Sequence, residues 1–266
     1  MAHSVRFGAH PLALFSLAPI NDNARAVLAH SENIGYVSTF AVANAMSQCL
    51  DIGFNIGSKK AFTLATLGRS GADITVEGSS ISAIHCSFEI HQESGEIMLH
   101  DLSRFRTTQT SGENATPFEE RQNPRRIVVG HNLNTRFGIG GLECDLVQFR
   151  LVWHERLFDV MEQVRNRPCI PRLAPTIAGS DIPTQRPSAY VTQNQTPIGQ
   201  ELRLRYAERF QLGKGAFGEV WKAVNIDTGK YLAVKIIVAP PLGFGPRILE
   251  LLKREVHVLS QTSHVS

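Results

Sequence analysis

Residues 210–235 contain the pattern that most constrains the fold of this chain. Gly213, Gly215 and Gly218 stand there in the order G-x-G-x-x-G. Residues 220–224 alternate with a period of two, so the glycines lead into a strand rather than a helix. Residues 227–230 are typical of a turn, and residues 231–238 predict the next strand. The sequence therefore predicts that the glycines lie at the tip of a hairpin.

A lysine and a glutamate follow these glycines in segments that are otherwise apolar. Glycine lets backbone N–H groups approach an anion such as a nucleotide phosphate. Lys235 lies in the apolar segment 232–238, where a buried ammonium needs a negatively charged partner. Residues 246–260 have helical periodicity, and Glu255 falls on the apolar stripe. Pairing Lys235 with Glu255 satisfies both, although each feature alone also fits a mobile hairpin, an exposed lysine and a glutamate at the edge of a helix face.

Taken in this order, the glycines, Lys235 and Glu255 resemble the N-terminal lobe of eukaryotic protein kinases. The resemblance implies ATP as the cofactor, with Lys235 on its α- and β-phosphates and Glu255 orienting Lys235 as the two catalytic residues. It also implies that Ala233 touches the adenine and that the glycine-rich loop covers the phosphates. The predicted cofactor-binding residues are Leu212, Gly213, Lys214, Gly215, Ala216, Phe217, Gly218, Glu219, Val220, Ala233 and Lys235.

The catalytic motifs of the kinase C-terminal lobe do not occur in these residues. Neither a His-Arg-Asp catalytic loop nor an Asp-Phe-Gly metal site is found in the sequence. In that family the Mg²⁺ ligands lie in this second lobe, so no metal ligand is predicted here. Residues 204–266 are therefore predicted to be an N-lobe fragment, one antiparallel sheet plus one helix, with no phosphotransfer of its own.

Composition limits the other function classes. With 42% hydrophobic and 19% charged residues, the chain has the composition of a globular protein of about two domains. A net charge of +3 is too small to indicate direct nucleic-acid binding. No segment predicts a membrane span. The widely spaced Cys49, Cys86, Cys144 and Cys169 indicate reduced thiols rather than disulfides or metal ligands. Residues 1–54 show no chemistry and stay unassigned.

Between residues 61 and 153 the pattern is that of a sheet. Short segments alternate with a period of two around residues 62–65, 87–91 and 147–153, and apolar runs occur at 97–99 and 127–129. Segments rich in turn residues separate them. Several short strands at this spacing predict an antiparallel β-sandwich, assigned to residues 55–160.

Three loops of this sandwich carry residues able to bind a phosphate. Arg69 follows the first strand, Ser82 and His85 follow a turn, and Arg104 and Arg106 follow a third strand. Arginine offers paired N–H donors to a phosphate, and hydroxyl groups can complete its shell. Each residue alone is equally compatible with an ordinary, internally satisfied loop.

The three loops resemble the forkhead-associated (FHA) domain, a phosphothreonine-binding sandwich. Gly68 and Arg69 match its first motif, and Ser82-x-x-His85 its second. The resemblance places Arg69 and Ser82 on the phosphate, with His85 bracing the loop. The third motif, Asp-Leu-x-Ser-x-Asn-Gly-Thr, is met only at Asp101, Leu102 and Thr108. The predicted phosphopeptide-binding residues are Arg69, Ser82, His85, Arg104 and Arg106, the last of which stands at the Asn position of the motif.

A proline-rich linker is predicted over residues 161–203. Six prolines fall between residues 168 and 197, which favours an extended, semi-rigid segment. Thr184-Gln185 and Thr192-Gln193 resemble sites of the large DNA-damage-signalling kinases, although such dipeptides are also common in plain linkers. The predicted fold class is thus mainly β followed by α+β: an FHA-type sandwich, a linker and a partial kinase N-lobe.

This order of domains resembles the fungal and animal checkpoint-effector kinases. The leading hypothesis is an ATP-dependent Ser/Thr protein kinase, nuclear or cytoplasmic, that an FHA domain docks onto a phosphothreonine-containing protein and that acts on protein substrates. The alternative is a phosphothreonine-binding adaptor without phosphotransfer. Whether a kinase C-terminal lobe accompanies residues 204–266 discriminates between the two.

Overall fold

The computed structural model describes residues 6–58, 60–155, 158–167, 204–215, 218–238, 243 and 245–261, without the side chains of 6, 255–256 and 258–261. The chain divides into two compact units. The first comprises residues up to Ala207 together with Asn225–Lys230, and the second comprises Glu208–Val224 and the residues from Tyr231 onward.

The first unit is built almost wholly from strands. A short 3-10 turn, Ile34–Tyr36, precedes the third strand. The helices and strands are β1 (Arg6–Phe7), β2 (Ala13–Pro19), α1 (Asp22–Ala29), β3 (Val37–Val42), β4 (Ala45–Gly53), β5 (Thr63–Gly68), β6 (Ile74–Thr75), β7 (Cys86–Ile90), β8 (Ile97–Asp101), β9 (Gln109–Ser111), β10 (Arg126–Val129), β11 (Arg136–Ile139), β12 (Val147–Trp153) and α2 (Val160–Asn166).

Two sheets contain these strands. The larger has seven strands in the order β1-β3-β4-β2-β12-β11-β9, and the smaller has five in the order β10-β8-β7-β5-β6. The predicted strands at residues 62–65, 87–91, 97–99, 127–129 and 147–153 are confirmed as β5, β7, β8, β10 and β12. The expectation of a purely antiparallel sandwich is wrong in detail, because β1 pairs with β3 and β5 with β6 in parallel.

The N-terminal segment belongs to this sandwich. Strand β2 pairs antiparallel with β12, with Phe15 opposite Trp153, and on its other side with β4. The predicted boundary at residue 54 therefore divides a single sheet. The strands were missed because β2 is buried on both faces, and a fully buried strand shows an apolar run instead of alternation.

Aromatic side chains fill the space between the two sheets. Phe15 of the larger sheet packs edge-to-face on Phe88 of the smaller sheet, with ring centroids 5.0 Å apart, and Phe88 packs in the same manner on Phe137 at 5.4 Å. All three side chains are fully buried. Burying each one contributes roughly 1.5–3 kcal/mol, so this cluster holds the two sheets together and fixes the loops at their ends.

The beginning of the predicted linker is helical. Helix α2 is capped by Asp159, whose side chain accepts a 2.7 Å hydrogen bond from the Glu162 amide, and it buries Val160 and Val164. Arg167 follows it and donates to the carbonyls of Ile56 and Thr63. Residues 161–167 therefore belong to the sandwich unit. The rest of the predicted linker, with its prolines, Cys169 and both Thr-Gln dipeptides, lies outside the described residues.

The second unit contains a three-stranded sheet and a helix. Strands β13 (Tyr206–Gly215), β14 (Gly218–Asn225) and β15 (Tyr231–Ile236) neighbour each other in that order, and β14 and β15 are antiparallel. Helix α3 spans Pro246–Gln261, which confirms the predicted helix. Within the described residues, no helix is long and apolar enough to cross a bilayer.

Candidate functional site

The first loop of the predicted site begins where β5 ends. Gly68 lies so close to the second loop that an added Cβ would stand 2.1 Å from the carbonyl oxygen of Ala83. This contact requires glycine. The next amide, that of Arg69, donates to the carbonyl of Ser82 at 2.9 Å. The Arg69 side chain is exposed, so the backbone anchors it beside Ser82 while its guanidinium faces solvent.

The second loop is braced by a buried histidine. His85 is fully buried, and its Nδ1 accepts the Ser82 amide at 3.2 Å. Its Nε2 therefore carries the hydrogen and donates to the Thr107 hydroxyl, 3.2 Å away. Burial lowers the pKa of His85, against the opposing effect of Asp101 and Asp145, which keeps the ring neutral at pH 7. A buried ring cannot touch a peptide, so His85 acts as a link between the second and third loops.

The third loop is connected to the second through Ser82. The Arg104 amide donates to Ser82 Oγ at 3.1 Å. Because that oxygen acts as an acceptor here, its own hydrogen can be donated to a ligand. Arg104 is exposed, and its guanidinium lies 5.3 Å from the ring centroid of the exposed Phe105. Ser82 is thus hydrogen-bonded to both neighbouring loops, through its carbonyl to the first and its hydroxyl to the third.

Asp101 holds the third loop in shape. Its Oδ1 accepts the Ser103 amide at 3.0 Å and the Thr108 hydroxyl at 2.8 Å. The Ser103 hydroxyl in turn accepts the Thr107 amide at 3.0 Å. Asp101 and Thr108 are buried. The two ends of the matched third motif therefore contact each other directly.

Arg106, at the Asn position of that motif, has an unusual backbone. Its φ is +55°, in the left-handed region that asparagine adopts more readily than most residues. The side chain is exposed and donates from Nη1 to the carbonyl of Glu120 at 2.6 Å. The left-handed backbone conformation of this loop is therefore present although arginine replaces asparagine. One donor of the arginine is already bound to a main-chain carbonyl.

Arg125 supports the site, although the sequence did not single it out. It forms an ion pair with Asp101, donates to the carbonyl of Arg106 at 2.7 Å, and lies 4.6 Å above the ring centroid of Phe118. The side chain of Asp101 is fully buried and that of Arg125 is partly buried. A buried carboxylate needs such a partner. The sequence therefore indicates that Asp101 needs a cationic partner, but it does not indicate which of several nearby arginines supplies it.

Asp145 is a second supporting residue that the sequence did not indicate. It accepts the amides of Ser80 at 2.7 Å and Gly141 at 2.8 Å, and the Ser80 hydroxyl. Burial raises the pKa of Asp145, but the hydrogen bonds from Ser80 and the neighbouring amides outweigh this effect and lower it to about 2. The charged carboxylate fixes the turn that leads into Ser82.

The five predicted phosphopeptide residues therefore fall into two groups. Arg69, Arg104 and Arg106 are exposed cations, whereas Ser82 and His85 join the loops that carry them. The amides of Arg69 and Arg104 are both hydrogen-bonded to Ser82, and Arg106 lies on the same loop as Arg104. Such an arrangement suits an anion with several acceptor oxygens.

The predicted nucleotide residues lie in the second unit. Leu212, Gly213, Lys214 and Gly215 end β13, and Gly218, Glu219 and Val220 begin β14. Lys214 Nζ lies 3.1 Å from Glu219 Oε1, and its hydrogen bond, with one from Trp221, lowers the pKa of Glu219. Ala216 and Phe217 lie outside the described residues. The glycines thus stand at the junction of two neighbouring strands.

Lys235 lies directly opposite Val220 in the β14–β15 register. Lys235 and Ala233 are exposed, so the expectation that Lys235 is buried is wrong. Within the described residues, the face of the sheet that carries Lys235 and Ala233 is therefore exposed to solvent. The side chain of Glu255 lies outside the described residues, as does its predicted pairing with Lys235. Within the described residues, no group of histidine, cysteine and carboxylate side chains is arranged to hold a metal ion.

Comparison with known proteins identifies one part of the chain. Three kinases match it over short segments. Serine/threonine-protein kinase SSK22 of Saccharomyces cerevisiae is 36% identical over 61 residues, which are 23% of this chain and 5% of the relative. Calcium-dependent protein kinase 5 is 37% identical over 62 residues in Plasmodium berghei (23% of this chain, 10% of the relative) and 40% identical over 57 residues in Plasmodium falciparum (21% of this chain, 9% of the relative). The chain spans a tenth or less of the length of each. Residues 65–133 match the FHA domain model. The chain therefore contains an FHA domain at residues 65–133, which include the three loops just described.

Proposed function

We propose that the first unit docks this chain onto a phosphothreonine-containing protein. FHA domains bind such proteins. The observation that carries the proposal is the convergence of three loops on Ser82, whose carbonyl accepts the Arg69 amide and whose hydroxyl accepts the Arg104 amide, so that two exposed arginines flank it in the backbone network. A phosphothreonine brings about two negative charges and three acceptor oxygens. Arginine side chains and the Ser82 hydroxyl supply the matching donors.

The site carries exposed positive charge, and buried polar side chains hold its loops in place. Arg104 and Arg106 add positive charge on the third loop, where the family motif has Ser and Asn. The Arg106 guanidinium already donates to Glu120 O, so it contributes charge more than a hydrogen bond. A charge-assisted hydrogen bond contributes roughly 1.5–3 kcal/mol. The exposed Arg69, which matches the phosphate-binding arginine of the family motif, is expected to make the largest single contribution.

Titration with a phosphothreonine peptide library tests the docking function. The whole chain should bind at least one peptide and ignore its unphosphorylated twin. Arg69→Ala should weaken binding at least about tenfold, and Ser82→Ala less. Arg121→Ala is the matched control, because it removes one exposed positive charge from residues 118–125 and should change affinity less than about twofold. Absence of any phosphate-dependent binder would reject the proposal.

A second candidate function is supported by the second unit: ATP-dependent phosphorylation of serine or threonine in protein substrates. The glycine pattern at a strand junction and Lys235 opposite Val220 favour it, as does the similarity to proteins named as kinases. Nothing lies within 4 Å of a Cβ added at Gly213, so the backbone there is accessible to a phosphate. Leu212–Val220, Ala233 and Lys235 would hold ATP, which supplies the phosphoryl group, and Mg²⁺ would need ligands beyond these residues. The resemblance to checkpoint kinases is the sole support for a role in DNA-damage signalling.

Substitution of Lys235 tests the kinase hypothesis in a protein that includes a C-terminal lobe. Lys235→Met should abolish phosphotransfer with the fold intact, because removing a charge that stabilises the transferred phosphate costs several kcal/mol. Lys253→Met, on the exposed face of α3, is the control and should retain activity. Near-normal activity of Lys235→Met would reject the assigned role. Phosphopeptide binding without phosphotransfer in such a protein would favour the adaptor alternative.

A further inference from the structure

The turn Asn225–Lys230 belongs to the first unit, although it lies far from the FHA domain in sequence. Its Ile226 carbonyl accepts the Val128 amide at 2.8 Å, and its Ile226 amide donates to the Arg205 carbonyl at 3.0 Å. Ile226 is buried. Val128 is part of β10, the edge strand of the five-stranded sheet. The turn therefore covers an edge that would otherwise present unpaired backbone groups.

Asp227 is the anchor of this turn. Its carboxylate forms an ion pair with Arg205, with Nε at 3.0 Å from Oδ2. Its carbonyl accepts Gln122 Nε2 at 2.7 Å and Arg126 Nε at 3.3 Å. Three side chains from two separate segments thus converge on one residue.

Gly229 forms the second contact of this turn with the five-stranded sheet and its loops. Its carbonyl accepts the Ser94 hydroxyl at 2.7 Å. Its φ is +75°, and an added Cβ would stand 2.7 Å from Met98 Sδ and 3.0 Å from the His91 ring. The left-handed backbone and the close approach both require glycine. The contact is therefore specific in shape as well as in charge.

The segment 122–126 touches both this turn and the phosphate site. Gln122 and Arg126 hold the Asp227 carbonyl, and the Arg126 amide donates to Gln122 Oε1 at 3.2 Å. Between them, Arg125 pairs with Asp101 and donates to the Arg106 carbonyl. Asp101 and Arg106 belong to the third phosphate loop. One short segment thus ties the turn to the loop that is to receive the phosphate.

We infer that the docked Asn225–Lys230 turn preorganises the phosphopeptide site, so that peptide affinity depends on a segment outside the family match at residues 65–133. When the turn is released, Gln122 and Arg126 lose their acceptor and Arg125 is less firmly placed on the loop. The cost of ordering that loop then falls on peptide binding. Coupling of two sites is reciprocal, so a bound phosphopeptide also stabilises the docked turn. This inference rests on the proposed docking function.

The experiment compares two single-charge substitutions in the whole chain. Arg205→Ala removes the anchor of Asp227, whereas Lys230→Ala removes an equal charge whose contact, with Glu93, is exposed and 4.0 Å long. With the tightest-binding phosphothreonine peptide of the library, Arg205→Ala should weaken binding at least about fivefold. Lys230→Ala should stay within about twofold. Asp227→Asn, which keeps the side-chain size, should fall between them.

Hydrogen exchange supplies a measurement that needs no peptide. The amides of Ser103 and Thr107 are held by Asp101 and by the Ser103 hydroxyl. Both should exchange faster in Arg205→Ala than in Lys230→Ala, while the amide of Phe88 in the core stays protected as a test of folding. Equal affinity and equal exchange in the two variants would overturn the coupling. If the unaltered chain binds no phosphothreonine peptide, the docking function fails, and exchange at Thr107 alone then decides whether the turn orders the loop.

Discussion

The two regions of this chain that suit phosphate groups differ in how they are supported. In the FHA domain the loops rest on buried polar side chains, His85, Asp101 and Thr108, whose hydrogen bonds connect one loop to the next. In the second unit, Leu212 is 54% exposed and Lys235 and Ala233 are exposed as well. The first site is held by its own unit. The second, as far as the described residues extend, has no cover over the sheet that carries it.

This difference indicates where each site obtains its geometry. A site braced by buried groups is rigid before the ligand arrives, and its supporting residues affect stability and binding together. A site on an exposed strand junction can lose a side chain without unfolding. Substitutions at equivalent positions in the two regions should therefore have unequal effects.

The largest difference is expected between Asp101→Ala and Glu219→Ala, each of which removes the carboxylate of an ion pair. Loss of Asp101 removes the charged partner of the partly buried Arg125 and the acceptor of Ser103 and Thr108, which typically costs about 3–5 kcal/mol, a large part of the stability of a small domain. Loss of Glu219 breaks the exposed Lys214 pair and should not change stability measurably. Denaturant-dependent hydrogen exchange, resolved by segment, measures both units in one sample. A similar effect on both would remove the contrast.

A second comparison uses glycine. Gly68→Ala places a methyl group against the backbone of Ala83, and the resulting displacement is expected to cost roughly 1–3 kcal/mol and to weaken phosphopeptide binding. Gly213→Ala meets nothing within 4 Å and should leave the second unit as stable as before. Thermal unfolding and peptide titration check the pair. A stable, fully binding Gly68→Ala would show that the first two loops need not touch.

Acid should destabilise the FHA domain selectively. Burial lowers the pKa of His85, His91 and His154, and lowers that of His100 to about 4. Since the unfolded chain binds these protons more tightly, stability is intact above about pH 6.5 and falls as the pH drops toward 4. His100 alone should cost about 1 kcal/mol between pH 7 and 5.5. Strands β13–β15 contain no histidine and serve as the internal reference, and His100→Gln should flatten the profile.

The smallest effect is expected at Arg106. Asparagine tolerates the left-handed backbone at this position better than arginine, so Arg106→Asn should stabilise the domain by up to about 1 kcal/mol. It should also raise phosphopeptide affinity by restoring the family motif, despite the loss of one positive charge. Arg104→Asn removes the same charge from the same loop without a backbone gain and is the control. Equal outcomes for the two variants would show that charge alone determines binding at this loop.

The parts of the fold that alternate in polarity were predictable from sequence. Strand β12 alternates between buried and half-buried positions, β5 and β7 alternate between polar and apolar residues in sequence although most of their side chains are buried, and α3 carries a clear apolar stripe. Strands β2 and β4 were not predictable in this way, because Leu14–Leu17 and residues 49–53 are buried on both faces. Their mostly apolar segments, interrupted by the buried Ser16 and Asp51, resemble any buried segment, helical or extended.

The site was predictable where its residues follow a motif and not where they only support it. Arg69, Ser82 and His85 stand at fixed spacing within short loops. Arg125 and Asp145 reach the site from other loops, and their contribution depends on a three-dimensional contact that no local pattern encodes. The burial of Lys235 was predicted from its apolar neighbours, but a strand face is buried only if another element covers it.

The pairing of β2 with β12 has a consequence for how the domain is made. Phe15 is opposite Trp153, so the larger sheet cannot be completed until the ribosome has released nearly the whole sandwich sequence. Contacts so distant along the chain slow folding, because the intervening loop must close before they form. Before β12 is made, β2, β3 and β4 can already pair with one another, which leaves the edge of β2 that pairs with β12 unpaired. A nascent chain arrested before residue 147 should therefore be a good chaperone substrate, and one arrested well beyond residue 167 should not.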